Sequence, residues 1–576
     1  MKVSKYILMT LVGSAMALAT ASCGDKFLDE MPDNRVELKT AEHLRLLLND
    51  SYPAYNYFIP CELMSDNVVD NNSPDANGTR YNLSAYDLGD DETFAFEDVS
   101  SSTGTDTPGG IWEGYYLSIA AANSVLEKIE EFEASGYDRD DASKLPAIKA
   151  EALMLRAFCH WVLAEIFCEQ YRGPELSKAI QGIPYMTKPE TTVRPNYERG
   201  NLADFYENIE KDLEEGLAGI DNSLYEIPKY HFNTQAAHAF AARFYLHKRD
   251  YKKVLEHCNK AFGGEDVDVS QYMSDIWSHS GDFYYISDFG LFQQNMTKPR
   301  NFLLISTYSI AMRHLTGGRR YSMNRDAKRA AYQGPGPTWS RYSYVDKNGK
   351  EKAFSMNPAF NVSISNGRSD WGCMALHNLT EQFEYTDKHS GIGYPHVTVS
   401  EFNGEETLFM RAEAKLYLGM KQSALDDLQV WETSLRNNPG AESSNRYDDF
   451  TEARVRDFYT DPDLGYGIVK PLNIDELYPC EYSVNDDIEP LLQCMLHFRR
   501  IQTVHTGMRF FDLKRYAIEY SHVIGKEARV ETLTKFDKRR AIQIPYEALQ
   551  GGMQPTYRDE NLEKARPESG YVMVSQ

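Results

Sequence analysis

The stretch NTQAAHAFAARFYLHKRDYKKVLEHCNKAF, residues 233–262, constrains the fold more than any other. Ala237, Ala241 and Phe244 mark one apolar stripe, and Val254, Cys258 and Ala261 mark a second after a short polar break. Spacings of three and four residues specify helices, and the break between them specifies a hairpin. Small residues on facing stripes let the two backbones approach closely. EETLFMRAEAKLYLGMKQSALDDLQVW, from Glu405 to Trp431, repeats the plan with Leu408, Ala412 and Leu416, a break at Gly419, then Ala424 and Leu428. Such pairs are similar to tetratricopeptide units, whose period is about 34 residues. Here about 140 residues separate the two pairs, so a simple solenoid is not expected.

Two further segments extend the helical part. Trp112, Tyr115, Tyr116, Ile119, Ala122, Leu126 and Ile129 form one stripe, and Ile148, Ala152, Leu155, Cys159, Val162 and Ile166 another. Asn123, beside the first stripe, reads as an interhelical hydrogen bond rather than a ligand contact, and Trp112 and Trp431 read as core. Another helix is expected over about 202–218. The regions 51–110 and 263–401 differ: they are rich in Gly, Pro, Ser, Asn, Tyr and Trp, with little sustained period. Long irregular segments inserted in a helical body are often where function lies. The expected fold is therefore mainly α, with a tetratricopeptide-like scaffold over about 112–262 and 402–520 and an irregular, aromatic-rich lobe from the two insertions.

The N-terminus carries a different signal. Lys2 and Lys5 precede an apolar run from Tyr6 to Ala19, then Thr20-Ala21-Ser22-Cys23. This is the layout of a secretory signal, and its apolar run is shorter than the roughly 20 residues that span a membrane. A cysteine at the first mature position reads as a lipobox, so residues 1–22 are expected to be removed and Cys23 lipidated, leaving 23–576 as one domain. The formal charge is −24; removing Lys2 and Lys5 leaves 59 bases against 85 acids, −26. Such a surface disfavours nucleic acid and anionic lipid, so attachment to a membrane rests on acyl chains. Seven cysteines remain after Cys23, without a C-x-x-C pair, and no disulfide is assigned.

Sugar rings present an apolar face and a rim of hydroxyls, so a sugar site needs flat aromatics beside bidentate polar groups. The insertions supply both. Candidates are Tyr55, Tyr57, Asp66, Asn67 and Tyr81 in the first, and Trp277, Tyr284, Trp339, Arg341 and Trp371 in the second. No G-x-S-x-G, H-E-x-x-H, Walker loop or dinucleotide fingerprint occurs. The acidic runs DLGDDE (87–92) and EDVD (265–268) could imitate a glycosidase pair or a calcium loop, but in a chain with 85 acids they read as surface.

Ordered motifs along the chain support a resemblance. Cys23 is followed by FLDEMPD, then ELMSDN at 62–67, W112-x-x-x-Y116-x-x-I119-x-x-x-N123, LRAFCHWVLAEIF with a later GIPY, the FEYTD, GIGYP and RAEAKLYLG stretches, and GMRFFDLKR at 507–515. In this the chain resembles the SusD/RagB family. One departure is local: Phe498, Gln502 and Thr506 stand where the family usually has glutamates, whereas Arg499, Gly507, Arg509, Asp512 and Arg515 fit. Arg509 and Asp512, three apart, are expected to pair across a helical turn in a structural role. The resemblance implies a non-enzymatic surface lipoprotein of the outer membrane, without cofactor or metal. It would capture oligosaccharides or peptides and pass them to a TonB-dependent transporter. A surface glycosidase and a protein-binding helical scaffold are the alternatives.

Overall fold

The computed structural model describes residues 38–558 except 76, 86, 101–103, 193–196, 275–285, 316–318, 329, 332–333, 340–343, 346–350, 353–378, 436–449 and 466. Helices dominate. α1 (Ala41–Asn49), α2 (Phe58–Leu63) and α3 (Leu88–Phe94) precede the long α4 (Pro108–Ser135) and α5 (Leu145–Phe167). Thr107 caps α4 by accepting from the Gly110 N–H, Pro108 occupies its first turn, and Gly136 ends it at φ +69°. α5 is the centre of the body: only Pro146 and Lys149 escape burial. It is apolar nearly all round because other helices enclose it. Asn123 on α4 accepts from Arg156 on α5 at 2.9 Å, the expected interhelical bond. Trp431 is core, while Trp112 is half-buried against Tyr116 and Phe167.

After α6 (Leu202–Leu217), which packs on α5, come α7 (Thr234–His247) and α8 (Tyr251–Phe262), the first expected hairpin. β1 (Asn301–Tyr308) and α9 (Ala311–Leu315) follow, then β2 (Glu381–Asp387) and β3 (Ile392–Asn403). The second expected hairpin is α10 (Gly404–Tyr417) and α11 (Lys421–Ser434). α8 packs directly on α10, so the two hairpins are consecutive in space although 140-odd residues part them in sequence. α12 (Glu489–Gln502), α13 (Met508–Arg515) and the hairpin β4 (Tyr520–Ile524)–β5 (Arg529–Leu533) follow, with shorter helices and strands between and after these elements.

The scaffold interior carries charge as well as apolar side chains. Arg243 on α7 donates to Glu401 at 2.6 Å and to Glu406 at 2.9 Å. Arg499 on α12 bonds Asp512 at 3.0 Å and Glu406 at 3.3 Å. Arg515 reaches Asp512 at 3.0 Å and Glu413 at 2.7 Å. Thus the acids missing from positions 498, 502 and 506 are supplied by β3 and α10. The expected Arg509–Asp512 pair does not form. Arg509 instead clamps Asp66 with two bonds of 2.8 and 2.9 Å, because α13 packs against α2 and the turn that follows it.

The second insertion is less irregular than its composition implied. β1, β3 and β2 form a three-stranded antiparallel sheet in that order. Thr307 faces Val397, and Ile305 faces Val399, and all four are buried. The opposite face is the site considered next.

Candidate functional site

Alternation along a strand sends successive side chains to opposite faces, and directly paired residues share a face. Tyr308 pairs with His396 and Ser306 with Thr398 across β1–β3, while Gln382 pairs with His396 and Glu384 with Tyr394 across β2–β3. One face of the outer sheet therefore carries Ser306, Tyr308, Thr398, His396, Tyr394, Gln382 and Glu384. None of these is buried. The Tyr394 ring is 54% exposed, and its centroid lies 5.8 Å from that of Tyr308. Tyr55 continues the row, 6.5 Å beyond Tyr308. It rests over Gly114 of α4, where a Cβ would come within 2.6 Å of the Tyr55 ring. The three rings link hairpin, sheet and scaffold.

The other face of the β2–β3 hairpin also carries rings. Phe383 pairs with Pro395 and Tyr385 with Gly393, and both aromatics are exposed. Phe383 lies close over Gly393, where a Cβ would stand 2.8 Å from its ring. These rings project away from the Tyr308 side.

Beside the tyrosine row is a cleft of about 130 Å³ lined by Asp87, Asp90, Asp106, Thr93, Ile310 and His314, among others. The Asp106 carboxylate accepts from the Ser309 hydroxyl at 2.6 Å and the Ile310 N–H at 2.8 Å. It is thereby fixed next to Tyr308. Burial lifts its pKa above the usual carboxylate range, and the two bonds only partly offset this. Asp87 caps α3 through the Gly89 N–H, and Asp90 both completes that cap and pairs with His314 at 3.2 Å. The acidic run at 87–92 is thus a helix start. In the same way Asp268 caps the short helix at Val269–Tyr272. Among the described residues no cluster of three or more His, Cys, Asp or Glu could hold a metal ion.

Two other hollows have a different character. A small hollow of about 40 Å³ is lined by Tyr57, Arg243, Gln293, Glu401 and Glu406, among others, and lies against the buried ion network. A larger open one, about 440 Å³, lies between Leu176, Phe536 and Tyr557. Acidic and basic groups at its rim are paired, as in Arg172–Glu169 at 2.9 Å. The sheet face combines exposed rings with polar groups left unsatisfied. Among the described residues the Gln382 amide and the Glu384 carboxylate make no hydrogen bond or ion pair, and His396 Nδ1 has no partner.

Of the residues singled out in the sequence, Tyr55 lies on this row and Tyr81 is half-buried away from it, its N–H bonded to Asn71 O. Several others are interior and so do not form part of the exposed row. Tyr57, 2% exposed, donates to Glu401 at 3.0 Å. Trp339, also 2% exposed, packs on Phe498 and His497. Asn67, 0% exposed, donates to Glu62 and accepts from Arg500 at 2.8 Å. Asp66 is enclosed by Arg509, Lys470 at 2.6 Å and Arg500 at 3.4 Å. Burial alone would raise its carboxyl, but Arg500, Arg509 and Lys470 outweigh that and hold it well below the usual range. Cys23, Trp277, Tyr284, Arg341 and Trp371 lie outside the described residues. Tyr308, Tyr394, Gln382 and Glu384 were missed. Their signal was present as the alternation in EQFEYTD and IGYPHVTV around a Gly-containing turn.

Comparison with known proteins agrees with this architecture. A SusD-like family profile, described as starch-binding and associating with the outer membrane, matches residues 26–246. A SusD superfamily crystal structure from Bacteroides fragilis is 15% identical, with 89% of this chain and 98% of that chain covered and a TM-score of 0.53. A putative sugar binding protein from Bacteroides vulgatus is 14% identical, covering 91% and 99%, with a TM-score of 0.58. A SusD superfamily protein from Bacteroides thetaiotaomicron is 16% identical, covering 90% and 100%, with a TM-score of 0.56. No curated protein matches the chain.

Proposed function

We propose, from the premise that this chain belongs to the SusD/RagB family, that it is a non-catalytic glycan-binding protein of the outer-membrane surface. The observation that carries the reading is the open sheet face, where Tyr394, Tyr308 and Tyr55 form a row flanked by unsatisfied Gln382 and Glu384. Centroid separations of 5.8 and 6.5 Å put the three rings within reach of one oligosaccharide. Interplanar angles of 69° and 52° turn successive rings to different planes, so a bent chain offering apolar faces in turn, with hydroxyls to the polar rim, fits better than a flat one. Asp106, held beside Tyr308, supplies a further acceptor.

The remaining parts of the proposal rest on sequence and family. Among the described residues no helix is long and apolar enough to cross a membrane. Attachment through acyl chains on Cys23 accounts for membrane association without one. The family profile's description supports both starch-type cargo and the outer membrane. Delivery to a TonB-dependent transporter is the role that fits a tethered capture protein, with the helical scaffold as the face available to the transporter.

The test is titration of the mature chain with starch-type, fructan, mannan and host-type oligosaccharides and with short peptides. Binding of at least one glycan class, weakened in Tyr394→Ala and Tyr308→Ala, is expected. Binding of none, or binding indifferent to both substitutions, refutes the assignment.

A further inference from the structure

An exposed carboxylate stands beside the tyrosine row. Strand pairing places Glu384 directly opposite Tyr394, so carboxylate and ring project from one face of the hairpin with Cβ atoms about 5 Å apart. Glu384 is exposed and, among the described residues, unpaired. Among the described residues no basic group pairs with it, and His396, a diagonal neighbour across the strands on the same face, makes no bond to it. Arg313 is bound to Glu381 on the other face, at 2.6 Å through Nε. Lys388 and His389 occupy the turn beyond the strand end at Asp387, and neither pairs with Glu384 among the described residues. That turn also holds Asp387, which accepts from the His389 and Ser390 N–H groups. The cleft that reaches Ile310 holds Asp87, Asp90 and Asp106, opposed by His314. A ligand lying on the row thus meets the Glu384 carboxylate, within a chain of formal charge −24.

From this arrangement we infer that the face takes uncharged oligosaccharides, rejects those bearing carboxylates or sulfates, and owes the discrimination chiefly to Glu384. The inference rests on the glycan-binding reading and narrows it. A carboxylate beside a stacked ring accepts two adjacent sugar hydroxyls in a bidentate contact, which favours a neutral sugar. A uronate or sulfate in the same position brings like charges to 4–5 Å. That separation weakens binding roughly fivefold in a water-like dielectric, and by more where the ring excludes water.

The experiment uses the mature chain and matched probes at fixed salt: malto-, fructo-, manno- and galacto-oligosaccharides against oligogalacturonides and heparin-derived oligosaccharides. The expected result is binding of a neutral probe and at least tenfold weaker binding of every acidic one. Glu384→Gln should raise acidic-probe affinity roughly fivefold relative to the neutral probe, and Glu384→Lys should raise it further. Glu384 is on the surface, so both variants should unfold at the parent midpoint. Acidic probes binding as well as neutral ones overturns the inference while leaving the glycan reading intact. A neutral-to-acidic ratio unchanged in both variants removes Glu384 from it. Binding of neither class overturns the inference together with the reading beneath it.

Discussion

The scaffold interior and the outer sheet face are both rich in aromatic and polar side chains, yet they dispose of them in opposite ways. Inside, Asp66, Glu401, Glu406, Glu413 and Asp512 are shared among Arg243, Lys470, Arg499, Arg500, Arg509 and Arg515. Tyr57 and Trp339 are packed beside them. Outside, Tyr394 and Tyr308 stand next to polar groups that no atom of the described residues engages. Buried charges are costly unless paired and hydrogen-bonded, and these interior charges are paired with one another, although Gln293 and Arg499 Nη1 keep unpartnered polar atoms there. The outer face instead sets its polar groups beside exposed rings, and this difference, not aromatic content, distinguishes the two regions.

The comparison breaks first at the interior. Arg243→Met leaves Glu401 and Glu406 without their shared partner, and Asp66→Ala leaves three bases crowded together. Each should destabilise the fold by about 3–5 kcal/mol, measurable by denaturant unfolding. A loss below 1 kcal/mol would show that the network is not structural.

At the outer face the sign of the experiment reverses. Tyr394→Ala and Tyr308→Ala should each weaken glycan binding about tenfold, since a stacked ring contributes about 1–2 kcal/mol of area and geometry. Thermal midpoints should stay where they are. An unfolding shift without a change in affinity would place these rings with the core.

A titration sharpens the contrast further. Burial pushes the Glu62 carboxyl from 4.5 up to about 7, although the Gly507 N–H and the Asn67 amide favour its charged form. A folded-state value above the unfolded one means that the folded chain binds the extra proton. Its contribution to stability is present below pH 4.5 and is lost as pH rises through about 7. Glu62→Gln should remove that fall, flattening unfolding free energy between pH 5 and 7.5 relative to the parent. A parent and variant that stay parallel across this window would contradict it.

The smallest effect is expected on the reverse of the hairpin. Phe383→Ala and Tyr385→Ala should change glycan affinity by less than about twofold, because strand alternation points them away from Tyr394. A large loss there would move the ligand to the opposite face.

Much of the scaffold was legible because its helices repeat apolar residues at three and four. The stripes through Trp112, Ile148, Ala237 and Leu408 became α4, α5, α7 and α10. What sequence could not show was that the two distant hairpins meet through α8 and α10, a contact between residues far apart in the chain. The site was less legible. Tyr57 and Trp339 have the composition of a sugar platform, but burial depends on tertiary neighbours such as Glu401 and Phe498. Conversely Tyr394 and Glu384 acquire meaning only from the register that sets them opposite one another. Composition located the insertion, and pairing selected the residues.

A crystal structure of the mature chain with a bound oligosaccharide shows whether ligand lies along Tyr394, Tyr308 and Tyr55. Sugar rings stacked over Tyr394 and Tyr308, with hydroxyls on Gln382 and Glu384, are expected. Density for the sugar in the cleft at Phe536, with the tyrosine row bare, would contradict that placement.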